Sequence, residues 1–271
     1  MPTCWQEKTV VITGGSRGLG LAIGKAFACH SAKVVLIGRD ADRLEAARGE
    51  ILADSHSDQV EICCLDITDQ VVFDQRFPQL IESLGSIDVW VNCAGKSIRC
   101  DMETSQLADY RELMEINFFA AVRCALAALP YLKKTKGHLV NIGSLSSKTA
   151  WPYVAPYVTS KHALAAFTQQ LRLEGPTEVH YLHVCPGPIS RDDTGDRYRE
   201  QTVSLGEAAK QAGAGAPVGK IAPDQLAEKI VLACQKRSVE LVIPWRSRLL
   251  FSMSQLFPRL GDRILKRLSR K

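Results

Sequence analysis

The stretch Thr9-Val10-Val11-Ile12-Thr13-Gly14-Gly15-Ser16-Arg17-Gly18-Leu19-Gly20 decides the fold. A run rich in β-branched residues enters a glycine-rich turn. Apolar residues then recur at three- and four-residue spacing through Leu19–His30. Strand, turn and helix follow one another without a linker, which is how a strand–helix–strand unit opens. The alternation continues outward. Further strand-like runs are Lys33–Ile37, Val60–Leu65, Ile87–Asn92, His138–Gly143, Val179–Cys185 and Glu240–Ile243, separated by segments of helical period such as Ala41–Ala53. The first five runs are nearly continuous in apolar residues, as strands buried on both faces require. The expected fold is α/β, a doubly wound parallel sheet of seven strands forming a single domain over residues 1–244. A basic amphipathic tail, residues 245–271, follows it.

The 271 residues are 46% hydrophobic and 23% charged, a globular balance that excludes a disordered, collagen-like or disulfide-stapled chain. No run approaches the roughly eighteen apolar residues of a membrane span. The opening MPTCWQEK has no apolar signal core, so a cytoplasmic location is expected. The nine cysteines (Cys4, Cys29, Cys63, Cys64, Cys93, Cys100, Cys124, Cys185 and Cys234) form no Cys-x-x-Cys pair, and no histidine stands at zinc-ligand spacing from them. No metal site is expected.

The glycine turn between a strand and a helix suits a dinucleotide. Gly14, Ser16, Arg17, Gly18, Leu19 and Gly20 would let the backbone approach a pyrophosphate at the helix N-terminus, the other reading being a tight turn without a ligand. The second strand ends in Ile37-Gly38-Arg39-Asp40, with glycine where an NAD-selecting acid usually stands. Arg17 and Arg39 can together grip a 2′-phosphate, so NADP(H) is favoured over NAD(H). The competing role for Arg39 is a surface pair with Asp40 or Asp42. Asp66, beside Ile67, can accept a bond from the adenine amino group. Asn92, Ala94 and Gly95 are mostly small residues at the end of the fourth run, where a cofactor would lie close. These successive strand ends trace one extended ligand.

Asn117, Ser144, Tyr157 and Lys161 form the candidate reactive set. Tyr157 and Lys161 are four residues apart on one expected helix face. Carbonyl reduction needs a proton donor to oxygen as hydride reaches carbon. Moving a tyrosine from about 10 to about 7 takes roughly 4 kcal/mol of electrostatic help. Lys161 and an oxidised nicotinamide ring can provide it. Ser144 would hold the substrate oxygen, and Asn117 would place a water behind the lysine.

These residues resemble the short-chain dehydrogenase/reductase family over about Lys8 to Pro244. The resemblance rests on Thr13-Gly14 through Gly18 and Gly20, Asp66, Asn92-Cys93-Ala94-Gly95, Asn117, Ser144, Tyr157 with Lys161, and Pro186-Gly187. It implies a Rossmann fold, NAD(P) as hydride carrier, Tyr157 as general acid/base and Lys161 bonding the nicotinamide ribose. It also implies cofactor contacts at Pro186, Gly187 and Ile189, and a homodimer or homotetramer. The chain departs from the family at Cys93, at Arg191 where a threonine is usual, and in its tail. An idle NADP(H)-binding sensor of the same fold is the alternative function.

The segment 190–223, polar and glycine-punctuated, reads as a lid over the substrate. Candidate pocket residues are Ser97, Ile98, Leu145, Ser146, Trp151, Tyr153 and Pro188. They leave a 3-oxoacyl chain, a lipid-like ketone or steroid-like alcohol, and a sugar ketone open. The tail carries eight Lys and Arg against Asp262 alone, a net +7 that leaves −2 on the rest of a chain whose total is +5. Leu249, Met253, Leu256, Leu260, Ile264 and Leu268 recur between the charges, with Pro258 interrupting any helix. The tail either packs on its own domain or a neighbouring subunit, or makes peripheral contact with an anionic membrane. Nucleic acid is not expected.

Overall fold

The computed structural model describes residues 5–55, 59–190, 198, 200–203 and 205–269. Seven strands form one parallel sheet: β1 (Thr9–Thr13), β2 (Lys33–Gly38), β3 (Val60–Cys64), β4 (Val89–Asn92), β5 (His138–Ile142), β6 (His180–Pro186) and β7 (Glu240–Ile243), in the order β3-β2-β1-β4-β5-β6-β7. The helices are α1 (Gly18–Cys29), α2 (Ala41–Asp54), α3 (Gln70–Leu84), α4 (Leu107–Met114), α5 (Ala120–Thr135), α6 (Ala155–Glu174), α7 (Glu207–Lys210), α8 (Pro223–Gln235), α9 (Ser247–Leu256) and α10 (Pro258–Leu268). Strand order reverses between β1 and β4, and a crevice at the carboxyl ends is where such sheets take ligands. This is the Rossmann-type fold.

Each face of the sheet carries its own core. Val10, Ile12, Val34, Leu36, Val89, Val91, Val140 and Leu182 pack under α1 and α8, while Val11, Val35, Trp90 and Leu139 pack under α3 and α5. Each fully buried Val, Leu or Ile stabilises by ~1.5–3 kcal/mol, so this double layer holds the strand ends in place.

Three expectations need correction. β3 is not buried on both faces: it is an edge strand, and Glu61 and Cys64 face solvent. β4 starts at Val89 rather than Ile87, because Asp88 turns back to take the Lys8 ammonium at 3.0 Å and the Thr9 amide at 2.9 Å. Finally, α4, a π-helical turn (Glu115–Phe119) and α5 join into a stretch, Leu107–Thr135, long enough for a span, within which an 18-residue window has a mean hydropathy of 1.4. Its Leu113 is buried, and its Ala120, Cys124, Ala125, Ala128 and Leu132 pack into the second core.

Candidate active site

The glycine turn is built by close backbone approach. Gly14 has φ +70°, and a Cβ there would lie 2.8 Å from Ala94 Cα; one on Gly20 would lie 2.2 Å from the Gly14 carbonyl. Either side chain would force the turn off the end of β4. The Gly14 amide donates to the Ile37 carbonyl at 2.8 Å. Thr13 ties the other side: its Oγ1 accepts from the Cys93 and Ala94 amides at 3.1 and 3.2 Å and donates to the Val91 carbonyl. Ser16 and Leu19 are half-buried, and Arg17 and Gly18 are exposed. The first turn of α1 holds no acid, and the Arg17 side chain makes no capping bond. The positive end of the helix therefore stays open to an anion, and space above Gly18 is free. These features fit a dinucleotide pyrophosphate.

At the end of β2, Arg39 is exposed with a nitrogen 3.7 Å from an Asp66 oxygen. An exposed pair at that distance contributes little, under about 1 kcal/mol. The Asp40 and Asp42 pairings expected as its alternative are not made. Asp40 caps α2 through the Arg43 amide at 3.0 Å and pairs with the Arg43 guanidinium. Arg17 makes no ion pair among the described residues. Burial alone would raise the Asp66 carboxyl, but bonds from the Thr68 amide (2.9 Å) and hydroxyl (2.6 Å), with Arg39 nearby, hold it below its ordinary value. Asp66 thus stands as an anionic acceptor, and Ile67 beside it is buried.

The Asn92 side chain turns inward, away from the end of β4. It is 3% exposed, accepts from the Trp90 indole at 2.9 Å, and donates to the Ala121 carbonyl and the Asn141 side chain. Its amide is fully used inside the sheet. Ala94 and Gly95 do line the strand exit, where a Cβ on Gly95 would sit 2.9 Å from Asn117 Oδ1 and 3.7 Å from Lys161 Nζ.

The structure brings the four reactive candidates to this exit. Asn117 sits in the π-helical turn, where its Oδ1 accepts from the Lys96 amide and its Nδ2 donates to the Lys96 carbonyl and Ser160 Oγ. With those bonds made, its side chain braces the loop after β4 against α6. Ser144 caps a 3-10 turn, Leu145–Ser147: its Oγ accepts from the Ser146 amide at 3.1 Å, and its own amide donates to Ser147 Oγ. Tyr157 stands half-exposed in the first turn of α6. Lys161, 5% exposed, donates to the Ile142 carbonyl at 2.8 Å, and its Nζ lies 5.8 Å from the centre of the Tyr157 ring. Burial pushes its ammonium down to about 8, with the Cys93 and Cys185 thiols acting the other way.

The residues expected to line a substrate pocket are mostly part-buried. Leu145, Ser146, Trp151, Tyr153 and Pro188 are half-buried and Ile98 is buried. Pro186 ends β6, the Gly187 amide donates to the Ile243 carbonyl, and Ile189 pairs with Ile221 near the two ends of segment 190–223. Residues 191–197, 199 and 204 of the segment expected to form a lid, including Arg191, lie outside the described residues. The described part is docked: Ser97 Oγ meets the Tyr198 hydroxyl, and the Trp151 indole donates to the Ala214 carbonyl at 2.8 Å.

Sequence reading missed the residue that organises this docking. Arg99 is 6% exposed, its guanidinium stacks 4.1 Å from the Tyr198 ring centre, its Nε donates to the Ala209 carbonyl, and its amide donates to Gln201. A charged residue in a loop carries no local signal of burial. The burial is created by a segment about a hundred positions downstream.

The comparisons with known proteins agree with this geometry. The short chain dehydrogenase family matches residues 8–202. A fatty acyl-CoA reductase from Acinetobacter baylyi is 36% identical over 170 residues, 62% of this chain and 57% of that protein's length. The chain thus spans under two thirds of that relative. A Danio rerio protein named dehydrogenase/reductase SDR family member 7B is 29% identical over 98% of this chain and 87% of its own. Among solved structures, an L-sorbose reductase from Gluconobacter frateurii complexed with NADPH and L-sorbose has a TM-score of 0.75 at 27% identity, covering 89% of this chain and 95% of that one. An alcohol dehydrogenase from Thermococcus sibiricus complexed with 5-hydroxy-NADP has 0.73 at 26%, covering 88% and 94%. With its family match, its parallel sheet and its site geometry in accord, this chain belongs to the short-chain dehydrogenase/reductase family.

Proposed function

We propose that the chain is an NADP(H)-dependent oxidoreductase acting between a ketone and a secondary alcohol, with a lipid-like or 3-oxoacyl carbonyl as its substrate. The observation that carries the reading is the buried Lys161 ammonium 5.8 Å from the Tyr157 ring. At that separation a unit charge is worth about 3 kcal/mol at an effective dielectric of about 20, most of the roughly 4 kcal/mol that poising the phenol requires. In reduction, Tyr157 Oη gives its proton to the carbonyl oxygen while carbon takes hydride. Ser144 Oγ, with a lone pair held by the Ser146 amide, has its own proton free to donate to that oxygen. NADP(H), when bound, supplies or accepts the hydride, and its oxidised ring adds the remaining positive charge. Gly14 to Gly20 would seat its pyrophosphate, Arg17 and Arg39 its 2′-phosphate and Asp66 its adenine.

NADP(H) preference is supported by Gly38 in place of an acid and by the two exposed guanidiniums. The substrate class is supported by the apolar wall of Ile98, Leu145, Trp151 and Pro188, and by the name of the Acinetobacter relative. Catalytic unit 1–244, lid 190–223, a cytoplasmic setting and a homodimer or homotetramer belong to the same reading. Exposed Leu107, Phe119 and Leu126 supply apolar surface for a second copy.

The test is a fluorescence titration with NADPH and with NADH, on the native chain and on Arg39→Asp and Tyr157→Phe, followed by a ketone turnover assay. NADPH should bind tighter, and Arg39→Asp should weaken it by roughly 10- to 100-fold while sparing NADH. Tyr157→Phe should bind NADPH normally and lose roughly 100-fold or more in turnover. Equal affinity for the two nucleotides would end the cofactor reading, and unchanged turnover in Tyr157→Phe would end the mechanism.

A further inference from the structure

The tail takes no part in this chemistry. We propose that the α9–α10 hairpin is a docking surface for an anionic lipid bilayer, seated beside the substrate pocket. The inference deepens the lipid-like substrate reading and rests on it only for what docking is for.

Three features carry it. The first is apolar surface. Trp245, Leu249, Leu256, Phe257 and Leu260 are 42–73% exposed, and Leu256, Phe257 and Leu260 gather where the two helices join. The helices already meet closely, Gly261 against Ser254, so their contact does not consume these side chains. The second is charge. Arg259, Arg263, Lys266 and Arg267 lie along one exposed face of α10, with Asp262 beside them. Among the described residues none of these four cations makes an ion pair. The third is position. Phe251 packs with Val242 and Cys185, and Leu145, the neighbour of Ser144, packs against them. A surface held by the hairpin is therefore held beside Leu145 and its neighbour Ser144.

Charge complementarity selects the occupant. A second copy would bring its own +7 tail against this one, whereas a body carrying −2 offers little in return. Nucleic acid would satisfy the cations and leave the five apolar side chains in water. An anionic bilayer takes both at once, with the cations at the headgroups and the apolar tip at the acyl boundary.

The experiment is flotation of the full chain with vesicles of phosphatidylcholine alone and of phosphatidylcholine containing phosphatidylglycerol. The chain should float with the anionic vesicles, be released by high salt, and bind the neutral ones weakly. The exposed triple variant Arg263→Gln/Lys266→Gln/Arg267→Gln should lose about 100-fold in partition, at about 1 kcal/mol per basic residue. Leu256→Ser/Phe257→Ser/Leu260→Ser should also bind less. Equal binding to both vesicle types, or native flotation of the charge variant, would overturn the proposal. So would tail-dependent self-association without vesicles, or duplex DNA binding unaffected by the serine variant. Turnover of a water-soluble ketone should survive both variants. Docking by a chain that reduces no carbonyl would strike the function reading and uphold the surface.

Discussion

Burial and function pull in opposite directions on Lys161. Its pocket lowers the ammonium to about 8, yet at neutral pH most of the population stays charged, so the tyrosine keeps its electrostatic support. As pH rises through about 8 the ammonium loses that proton and the tyrosine loses its support. The Lys161-dependent part of the reductive rate constant should therefore be lost across pH 8, and Lys161→Arg, which stays charged, should shift that loss to higher pH. A profile unchanged between the two proteins would show that Lys161 does not set the alkaline limb. Neighbouring amides illustrate the converse case. Asn92 and Asn117 are polar residues at the site, yet each spends its hydrogen bonds on backbone or on other side chains. They shape the site without offering free donors to it.

Among the elements, segment 190–223 leans on the short connection after β4. Arg99 meets it with a ring contact to Tyr198, a bond to the Ala209 carbonyl and an amide bond to Gln201. A cation–π contact of this kind contributes about 0.5–2 kcal/mol, with the desolvated end of that range applying to a buried guanidinium. Arg99→Ala should leave the sheet intact and loosen segment 198–215. Chymotryptic cleavage after Tyr198 should speed up several-fold, with KM for a ketone rising more than kcat falls. Equal cleavage rates would mean that Trp151 and Ile221 hold that segment unaided.

Across the whole molecule, the histidines make stability depend on pH. His138 and His183 are pushed down to about 3, by burial above all, and His180 is lowered for the same first reason. His138 and His180 meet through their Nδ1 atoms at 2.8 Å, and the Ser238 carbonyl fixes the His180 proton on Nε2. His180 Nδ1 therefore accepts from His138. Both ring nitrogens of His183 lack a partner among the described residues. In the unfolded chain these rings take up protons near 6.5; in the fold they do not. Their stabilising contribution is complete above about 6.5 and is lost as pH falls toward 3, at up to about 1.4 kcal/mol per pH unit per histidine. The urea midpoint should drop steadily below pH 6.5, and His183→Leu should make that slope shallower. An unchanged slope would mean that other groups govern acid unfolding.

The sequence by itself determined the α/β alternation, the parallel sheet and the glycine turn, because these depend on local chemistry: β-branched runs, helical periodicity, and a φ of +70° that only glycine adopts without strain. It also placed Tyr157 and Lys161 on one face, since four residues make about one helical turn. Tertiary structure decided what each polar group is free to do. Asn92 turned inward because Trp90, Ala121 and Asn141 converge on it, and Arg39 met Asp66 because β2 and β3 end side by side. Arg99 became buried because Tyr198, Gln201 and Ala209 pack on it, and β3 became an edge because no described strand pairs beyond it. Burial and hydrogen-bond partners arise between segments far apart in the chain, and no local pattern encodes them.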